Sequence, residues 1–377
     1  LSSALILFVP KSINDRDSSA ILKIKHYISG IVMDEELIES RKNDHIRINL
    51  EEDVRSSLSN GLEKYRFIHN ALPEIDLTEI DLTQTLFNKK ISLPILISSM
   101  TGGTPEAFQI NQILAQAAEK FGLAMGVGSQ RAAIENNALK ETFNVREFAP
   151  NILLFANLGA VQLNYGFGID ECKRAVEMIN ADSLILHLNP LQEAVQHEGD
   201  TNFSGLLKKI EIICHKLSVP VVVKEVGWGI SDALVKQLIT VGVAAIDVSG
   251  AGGTSWSQVE RFRLEDPIAI KVAEAFLDWG IPTADALTRV RNSFPDIPIF
   301  ASGGLKTGMD VAKSLALGAN LAGMAGVFLK AAVVSLENLE DTITIIEKII
   351  RISMFATGSK DLISFSTGRI FKTGETI

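Results

Sequence analysis

A chain of 377 residues, 46% hydrophobic and 21% charged, has the composition of a globular protein, and ~250 residues suffice for one closed α/β barrel. The formal net charge of −9 excludes broad attraction to nucleic acid or an anionic membrane surface, so an anionic ligand has to be met by a few placed cations. No apolar run reaches the ~20 residues of a membrane span, and the two cysteines, Cys172 and Cys214, lie in amphipathic helical stretches, which fits buried free thiols in a reducing cytoplasm rather than a disulfide or metal framework.

Residues 1–32 precede the first methionine and read as an upstream extension with no part in function. Met33–Asn43 is helix-like with an acidic start, and residues 33–93 form a segment ahead of the repeating core. From residue 94 onward, short β-branched or small apolar runs alternate with longer amphipathic stretches, the pattern of βα units. The predicted strands are Pro94–Met100, Ala124–Gly128, Leu153–Gly159, Ser183–Asn189, Val219–Val226, Ala244–Gly250, Pro298–Gly304 and Asn320–Gly326. Helices are predicted at Glu106–Phe121, Asp170–Asn180, Ser204–Leu217, Asp232–Val241 and Gly308–Leu317, with Glu337–Phe355 closing the exterior. No internal repeat stands out beyond this alternation. Eight strands with crossover helices predict a (β/α)8 TIM barrel over residues 94–377 with an N-terminal helical extension, in preference to an open Rossmann sheet.

Each run ends in small or polar residues: SMTGG, GVGSQR, ANLGA, HLNPLQE, VKEVG, SGAGGT, SGGLKTG and GMAG. In a barrel these ends converge on one rim, where the loops build the site. Ser302–Gly308 after the seventh strand and Gly323–Gly326 after the eighth have the order of a phosphate cradle, with Lys306 as a point charge. Lys224 shares a strand face with Val222 and Val226, so it points inward and needs an anionic or electron-rich partner. The N1/O2 edge of a reduced flavin suits it. A Schiff base is the rival reading. His187 and Asn189 share a face at a strand end, and Pro190 throws Gln192 and Glu193 into the loop above them. Glu193 suits Mg2+ shared with a diphosphate. Arg131, with Arg41, Lys42 and His45 on one helical face, offers a second cationic site, although a solvated charged helix fits the last three equally well.

The order RKxxH, SMTGG, GSQR, ANLG, HLNPLQE, KEVGWGIS, SGAGGT and SGGLKTG resembles the type 2, FMN-dependent isopentenyl-diphosphate isomerase family over about residues 33–370. The resemblance implies FMN contacts at Ser99, Met100, Thr101, Ser129, Asn157, Lys224, Ser249, Thr254, Gly304, Leu305, Lys306, Ala325 and Gly326. It implies a diphosphate held by Arg41, Lys42, His45, Arg131, His187 and Asn189, so that residues 33–93 contribute to the substrate site. Gln192 then lies at the reacting carbons, with His187 beside it as the second catalytic candidate, and Glu193 lies on Mg2+. Ser99 stands where the family commonly has Ala, and Lys306 where Arg is frequent; neither change removes a donor or a charge.

The implied reaction is reversible isomerisation of isopentenyl diphosphate to dimethylallyl diphosphate, with a proton added at C4 and another removed from C2. A reduced flavin would stabilise positive charge at C3 and donate from N5, which calls for NADPH as activator but no net redox change. The resemblance also implies a homotetramer or homo-octamer acting in the cytoplasm. The alternative within enzymes is an FMN-dependent 2-hydroxy-acid oxidase or dehydrogenase, which needs an imidazole base and an arginine after the sixth strand, where Ala251 and Thr254 stand. A dihydroorotate- or glutamate-synthase-like enzyme has no use for HLNPLQE, and a non-catalytic flavin-binding scaffold has no reason to gather His187, Asn189, Gln192 and Glu193.

Overall fold

A computed structural model describes residues 44, 45, 47–100 and 102–374; the expected extension at 1–32, the helix predicted at Met33–Asn43 with Arg41 and Lys42, and Thr101 lie outside the described residues. Eight parallel strands close a barrel in sequence order. They are β1 (Ile95–Ile97), β2 (Ala124–Gly126), β3 (Leu154–Gly159), β4 (Ser183–Leu188), β5 (Val221–Glu225), β6 (Ala245–Asp247), β7 (Ile299–Ala301) and β8 (Leu321–Met324). All eight expected strands are present, each shorter than expected: most lose their last residues to the rim, whereas β3 keeps its expected end at Gly159 and loses only Leu153.

Both faces of these strands are covered, which is why they read as continuous apolar runs rather than alternating ones. The pleat still sorts them. Leu96, Ala124, Phe155, Ile185, Val222, Ala245, Phe300 and Leu321 face inward and fill the barrel, whereas Ile95, Ile97, Leu154, Leu184, Val221, Val223 and Ile299 pack outward into the main core.

The crossovers carry α1 (Pro105–Phe121), α2 (Arg131–Glu135), α3 (Ile169–Met178), α4 (Pro190–Val195), α5 (Leu206–Lys216), α6 (Asp232–Thr240), α7 (Trp256–Arg261), α8 (Pro267–Glu274), α9 (Thr283–Ser293), α10 (Gly308–Ala316), α11 (Gly326–Val334) and α12 (Leu336–Phe355). Local chemistry sets their ends. The Thr104 side chain accepts from Ala107 N–H to start α1, which stops at Gly122 in the left-handed region. Thr307 and Asp310 form a capping box at α10. The long α12 packs on α10, α11 and α1, the exterior closure expected of it. Cys172 is buried in α3, but Cys214 in α5 is only half-buried.

The barrel floor is closed by a hairpin, 84–91, whose turn residues Phe87 and Asn88 have φ of 49° and 61°. Its Leu86 and Ile91 join the inward-facing cluster, and Phe87 meets Phe155 edge-on with centroids 6.5 Å apart. The segment before the barrel is also tied to the chain's end, Tyr65–Phe67 pairing antiparallel with Ile370–Lys372.

An internal repeat, not expected from the sequence, emerges at the base. Arg146 donates to the carbonyls of Ala149, Pro150, Ile152 and Asn180 and to Asp182 Oδ2, which also accepts from Leu154 N–H. Arg291 makes the same set with Phe294, Pro295, Ile297 and Gly318, and with Asn320 Oδ1, which accepts from Ile299 N–H. Asn180 and Gly318 both have positive φ. The sequence signature is Arg146, Pro150, Ile152, Phe155, Ala156, Gly159 against Arg291, Pro295, Ile297, Phe300, Ala301, Gly304. Two clamps therefore stand at β3/β4 and β7/β8, four strands apart. The hairpin touches both, through Lys89 to Asp182 at 3.1 Å and Gln84 to the Asn320 carbonyl.

Candidate functional site

Following six of the eight inward-facing rows two residues toward the rim converts the apolar filling into a polar layer, while the other two reach Gly126 and Gly323. Leu96 leads to Ser98, Phe155 to Asn157, Ile185 to His187, Val222 to Lys224, Ala245 to Asp247 and Phe300 to Ser302. Lys224, 7% exposed, donates to Ser249 Oγ at 2.9 Å and the Glu225 carbonyl at 2.8 Å. Its ammonium lies 3.5 Å from Asp247 Oδ2, which accepts no hydrogen bond, while Asp247 Oδ1 accepts from Ser302 Oγ at 2.6 Å. The anionic partner expected of the lysine is thus supplied in part by the protein itself, as a buried carboxylate. Glu225 accepts N–H bonds from Val226, Gly227 and Trp228, fixing the turn after β5; burial nevertheless lifts its pKa to about 7.

Above this layer lies a cavity of about 840 Å3, and two chemically different walls share it. One wall is backbone. Gly303 and Gly304, both at positive φ, let the loops after β6 and β7 touch: a Cβ on Gly304 would sit 2.3 Å from the Gly252 carbonyl. The start of α10 is closed, since Asp310 accepts from the N–H groups of Lys306 and Thr307. The start of α11 carries no side-chain cap, and the space around Gly326 is open. Its free N–H groups and dipole therefore make α11 the helix that can receive an anion. Lys306 is exposed at the margin, whereas the Leu305 side chain is buried in the core. Ser98 Oγ and Ser99 Oγ are buried without a hydrogen-bond partner.

The other wall is made of side chains. Asn157 Nδ2 donates to the Val127 carbonyl, so its Oδ1 faces His187 Nδ1 at 2.9 Å and accepts from it. This leaves Nε2 as the acceptor of the neutral ring. Burial and the nearby Lys224 ammonium push the imidazole pKa down to about 4. Pro190 follows the end of β4 as expected, but Gln192 and Glu193 lie in the short helix α4 that it starts rather than in a loop, and proline suits that first helical position. Glu193 is 8% exposed and accepts from Asn189 Nδ2 at 2.8 Å, from Asp200 N–H at 2.8 Å and from Gln196. Gln192 donates to Glu260 Oε1 at 2.8 Å, and His45 Nε2 lies 3.2 Å from the same oxygen. Burial alone would raise the Glu260 pKa, but His45, Gln192 and Arg263 outweigh it and hold it near 2. His45 also meets Trp256 edge-on, with centroids 5.1 Å apart.

Every expected site residue among the described ones lines this cavity: His45, Ser99, Met100, Ser129, Arg131, Asn157, His187, Asn189, Gln192, Glu193, Lys224, Ser249, Thr254, Gly304, Leu305, Lys306, Ala325 and Gly326. Arg131 is not free, being paired with Glu135 at 2.8 Å and Asp200 at 2.7 Å, partners whose pull outweighs burial and raises its pKa. Thr254 donates its hydroxyl to Asn49, part of the strap that carries His45 to the rim. Sequence reasoning missed Asp247, Glu260, Trp256, Asp200 and Gln162. Only Asp247 had a local signal, its place two residues after Ala245 on an inward row.

Residues 175–371 match the FMN-dependent dehydrogenase family. Curated relatives named isopentenyl-diphosphate delta-isomerase include one from Nostoc sp., 55% identical over 325 residues, spanning 86% of this chain and 93% of that protein. One from Rickettsia bellii is 52% identical over 322 residues (85% and 94%), and one from Rickettsia rickettsii 50% over 332 (88% and 97%). Similar solved structures include an (S)-mandelate dehydrogenase mutant, TM-score 0.63 and 16% identity, covering 90% of this chain and 98% of that one. A lactate oxidase of Pediococcus acidilactici gives 0.63 and 17%, covering 90% and 94%. At such identities the structures share the fold alone.

Proposed function

The chain belongs to the isopentenyl-diphosphate delta-isomerase family, and we propose that it interconverts isopentenyl and dimethylallyl diphosphate at the barrel mouth without net redox change. The observation that carries this reading is the single cavity with two walls: a backbone cradle for one phosphate and a side-chain wall suited to a second anion and to proton movement. A 2-hydroxy-acid oxidase is disfavoured, because Ala251 and Thr254 hold the positions after β6 where a base and an arginine are needed.

FMN fits the residues present. The loop Gly303–Lys306 and the uncapped start of α11 would hold its phosphate, while Asn157, Lys224 and the partnerless Ser98 and Ser99 hydroxyls would face its ring. Bound and reduced, the flavin supplies an electron-rich ring with a nitrogen able to give and take a proton. Lys224 is held between Asp247 and Ser249, placed to balance negative charge above it. Arg131, His45 and Asn189 would take the diphosphate, together with Arg41 and Lys42, and His187 would join them as a donor once the anion's charge protonates its Nε2.

Mg2+ fits as a shared ion rather than a resident one. Among the described residues no group of three or more His, Cys, Asp or Glu side chains could hold a metal, so Glu193 would bind it together with diphosphate oxygens and water. Gln192 is held at its Nε2 by Glu260 and at its Oε1 by Asn189, at 3.3 Å, a fixed amide that would lie at the reacting carbons. Glu260 behind it, held ionised with its pKa near 2, is too weak a base to take the proton itself and serves as the fixed acceptor that anchors the Gln192 amide. NADPH as reductant, a cytoplasmic site of action and a homotetramer or homo-octamer complete the reading.

The test is conversion of isopentenyl diphosphate by purified protein supplied with FMN, Mg2+ and NADPH, then with each withheld. Conversion that needs all three without consuming NADPH stoichiometrically supports the reading. Fully reduced, FMN-loaded protein that makes no dimethylallyl product refutes it, and turnover of lactate or mandelate would put the oxidase in its place.

A further inference from the structure

Between α4 and α5 the chain passes through His197-Glu198-Gly199-Asp200, a stretch with no role in the reading above. Its backbone is pressed onto α4. A Cβ at Gly199 would lie 1.7 Å from the Glu193 carbonyl oxygen and 2.6 Å from its carbon, so only glycine allows the approach. The approach sets Asp200 N–H 2.8 Å from Glu193 Oε2. The Asp200 carboxylate then turns the other way, where its Oδ2 accepts from Arg131 Nη1 at 2.7 Å and Gln162 Nε2 at 2.9 Å. One residue thus grips three rim loops: Arg131 after β2, Gln162 after β3 and Glu193 after β4.

We propose that Asp200 is a positioning residue for the isomerisation, joining the arginine that receives the diphosphate to the carboxylate that shares the metal. The inference rests on the reading of this wall as the Mg2+–diphosphate site. A carboxylate beside an anion site is unfavourable in itself, since it repels the ligand, and Glu135 already neutralises the Arg131 guanidinium. What Asp200 adds is direction. A long arginine side chain carries considerable rotamer freedom that binding must otherwise remove. The alternative, a placeholder anion expelled when diphosphate arrives, conflicts with the clamp at Gly199, which keeps the Asp200 backbone on Glu193 and the carboxylate within reach of Arg131.

The experiment compares Asp200→Ala, Asp200→Asn and Arg131→Ala with the parent as reduced, FMN-loaded holoenzymes, with flavin content and near-ultraviolet circular dichroism reporting the fold. The readouts are kcat and KM for isopentenyl diphosphate at several Mg2+ concentrations, and the inhibition constant of inorganic diphosphate. For Asp200→Ala we expect KM and the inhibition constant to rise about tenfold, kcat to stay within about twofold, and half-saturation to need more Mg2+. Asp200→Asn, which still accepts from Gln162 and Arg131, should recover part of the loss. If Asp200→Ala does not retain flavin, Asp200→Asn decides: a KM rise of about threefold supports the proposal, and parental values overturn it. Parental constants in Asp200→Ala, tighter diphosphate binding, or a fall in kcat at constant KM each overturn it. If Arg131→Ala is also without effect, the diphosphate reading of this wall fails; if only the Arg131 variant weakens binding, the inference about Asp200 fails alone.

Discussion

The quarter of the barrel around β3 and β4 and the quarter around β7 and β8 have the same base and different rims. At the base, Arg146 and Arg291 bind the same succession of carbonyls and one Asp or Asn side chain. At the rim, the matched segments diverge from Asn157-Leu158-Gly159 to Ser302-Gly303-Gly304, and from a strand ending in His187 and Asn189 to one ending in Gly323 and Ala325. The lesson is a division of labour. A repeated unit keeps its folding instructions at the N-terminal ends of the strands, and its chemistry changes at the other ends at no cost to the barrel. The glycine rim presents backbone and suits an invariant group such as a phosphate, whereas the side-chain rim can orient, titrate and share a metal.

The largest effect should break the side-chain rim alone. Glu193→Gln keeps the hydrogen-bonding shape but removes the charge, so kcat/KM for isopentenyl diphosphate should fall at least about a thousandfold while FMN stays bound. Flavin loss in that variant would show that the two walls are not separable. The bases test their equivalence. Arg146→Ala should lower unfolding free energy by about 3 kcal/mol and Arg291→Ala by about 2, as seen by denaturant titration, because the first abandons the charged Asp182 and the second the neutral Asn320. Equal losses would mean that the carbonyl bonds carry the whole clamp.

His187 sharpens the contrast through pH. Its folded pKa, about 4, lies below the unfolded 6.5, so the unfolded chain takes up the proton first. Its contribution, on the order of 3 kcal/mol, is complete above pH 6.5 and is lost as pH falls through 4. His187→Gln should flatten the stability profile of flavin-free protein in that window, and an unchanged slope would show that the ring is not forced neutral. The smallest effect belongs to the glycine rim. Gly304→Ala, whose Cβ meets the Gly252 backbone, should weaken FMN binding about tenfold by equilibrium dialysis with the fold retained. Unaltered affinity would move the phosphate away from that loop.

The barrel was legible because a strand buried on both faces leaves an apolar run, and each run here stops at Gly, Ser or Asn. The cavity wall was legible for the same reason, since rim residues follow strands. Glu260 was not, because nothing near it in sequence says that α7 brings it against Gln192 and His45. Asp200 depends on the approach of Gly199 to Glu193, which no local pattern announces. The paired clamps escaped notice because their shared residues are scattered, and Arg146 and Arg291 acquire meaning only when the carbonyls they bind are in place. Lys224 was read correctly as inward-facing, yet its partner Asp247 sits on a neighbouring strand whose alternation was not followed.

The hairpin across the floor closes one end of the barrel with Leu86, Ile91 and Phe87, and Leu96, Phe155 and Phe300 fill the space behind the cavity. Whatever occupies the mouth therefore exchanges with solvent on the rim side and not through the barrel. If a flavin were seated beneath a diphosphate there, saturating substrate would slow flavin loss on dilution, a nesting that release rates measured with and without substrate would reveal.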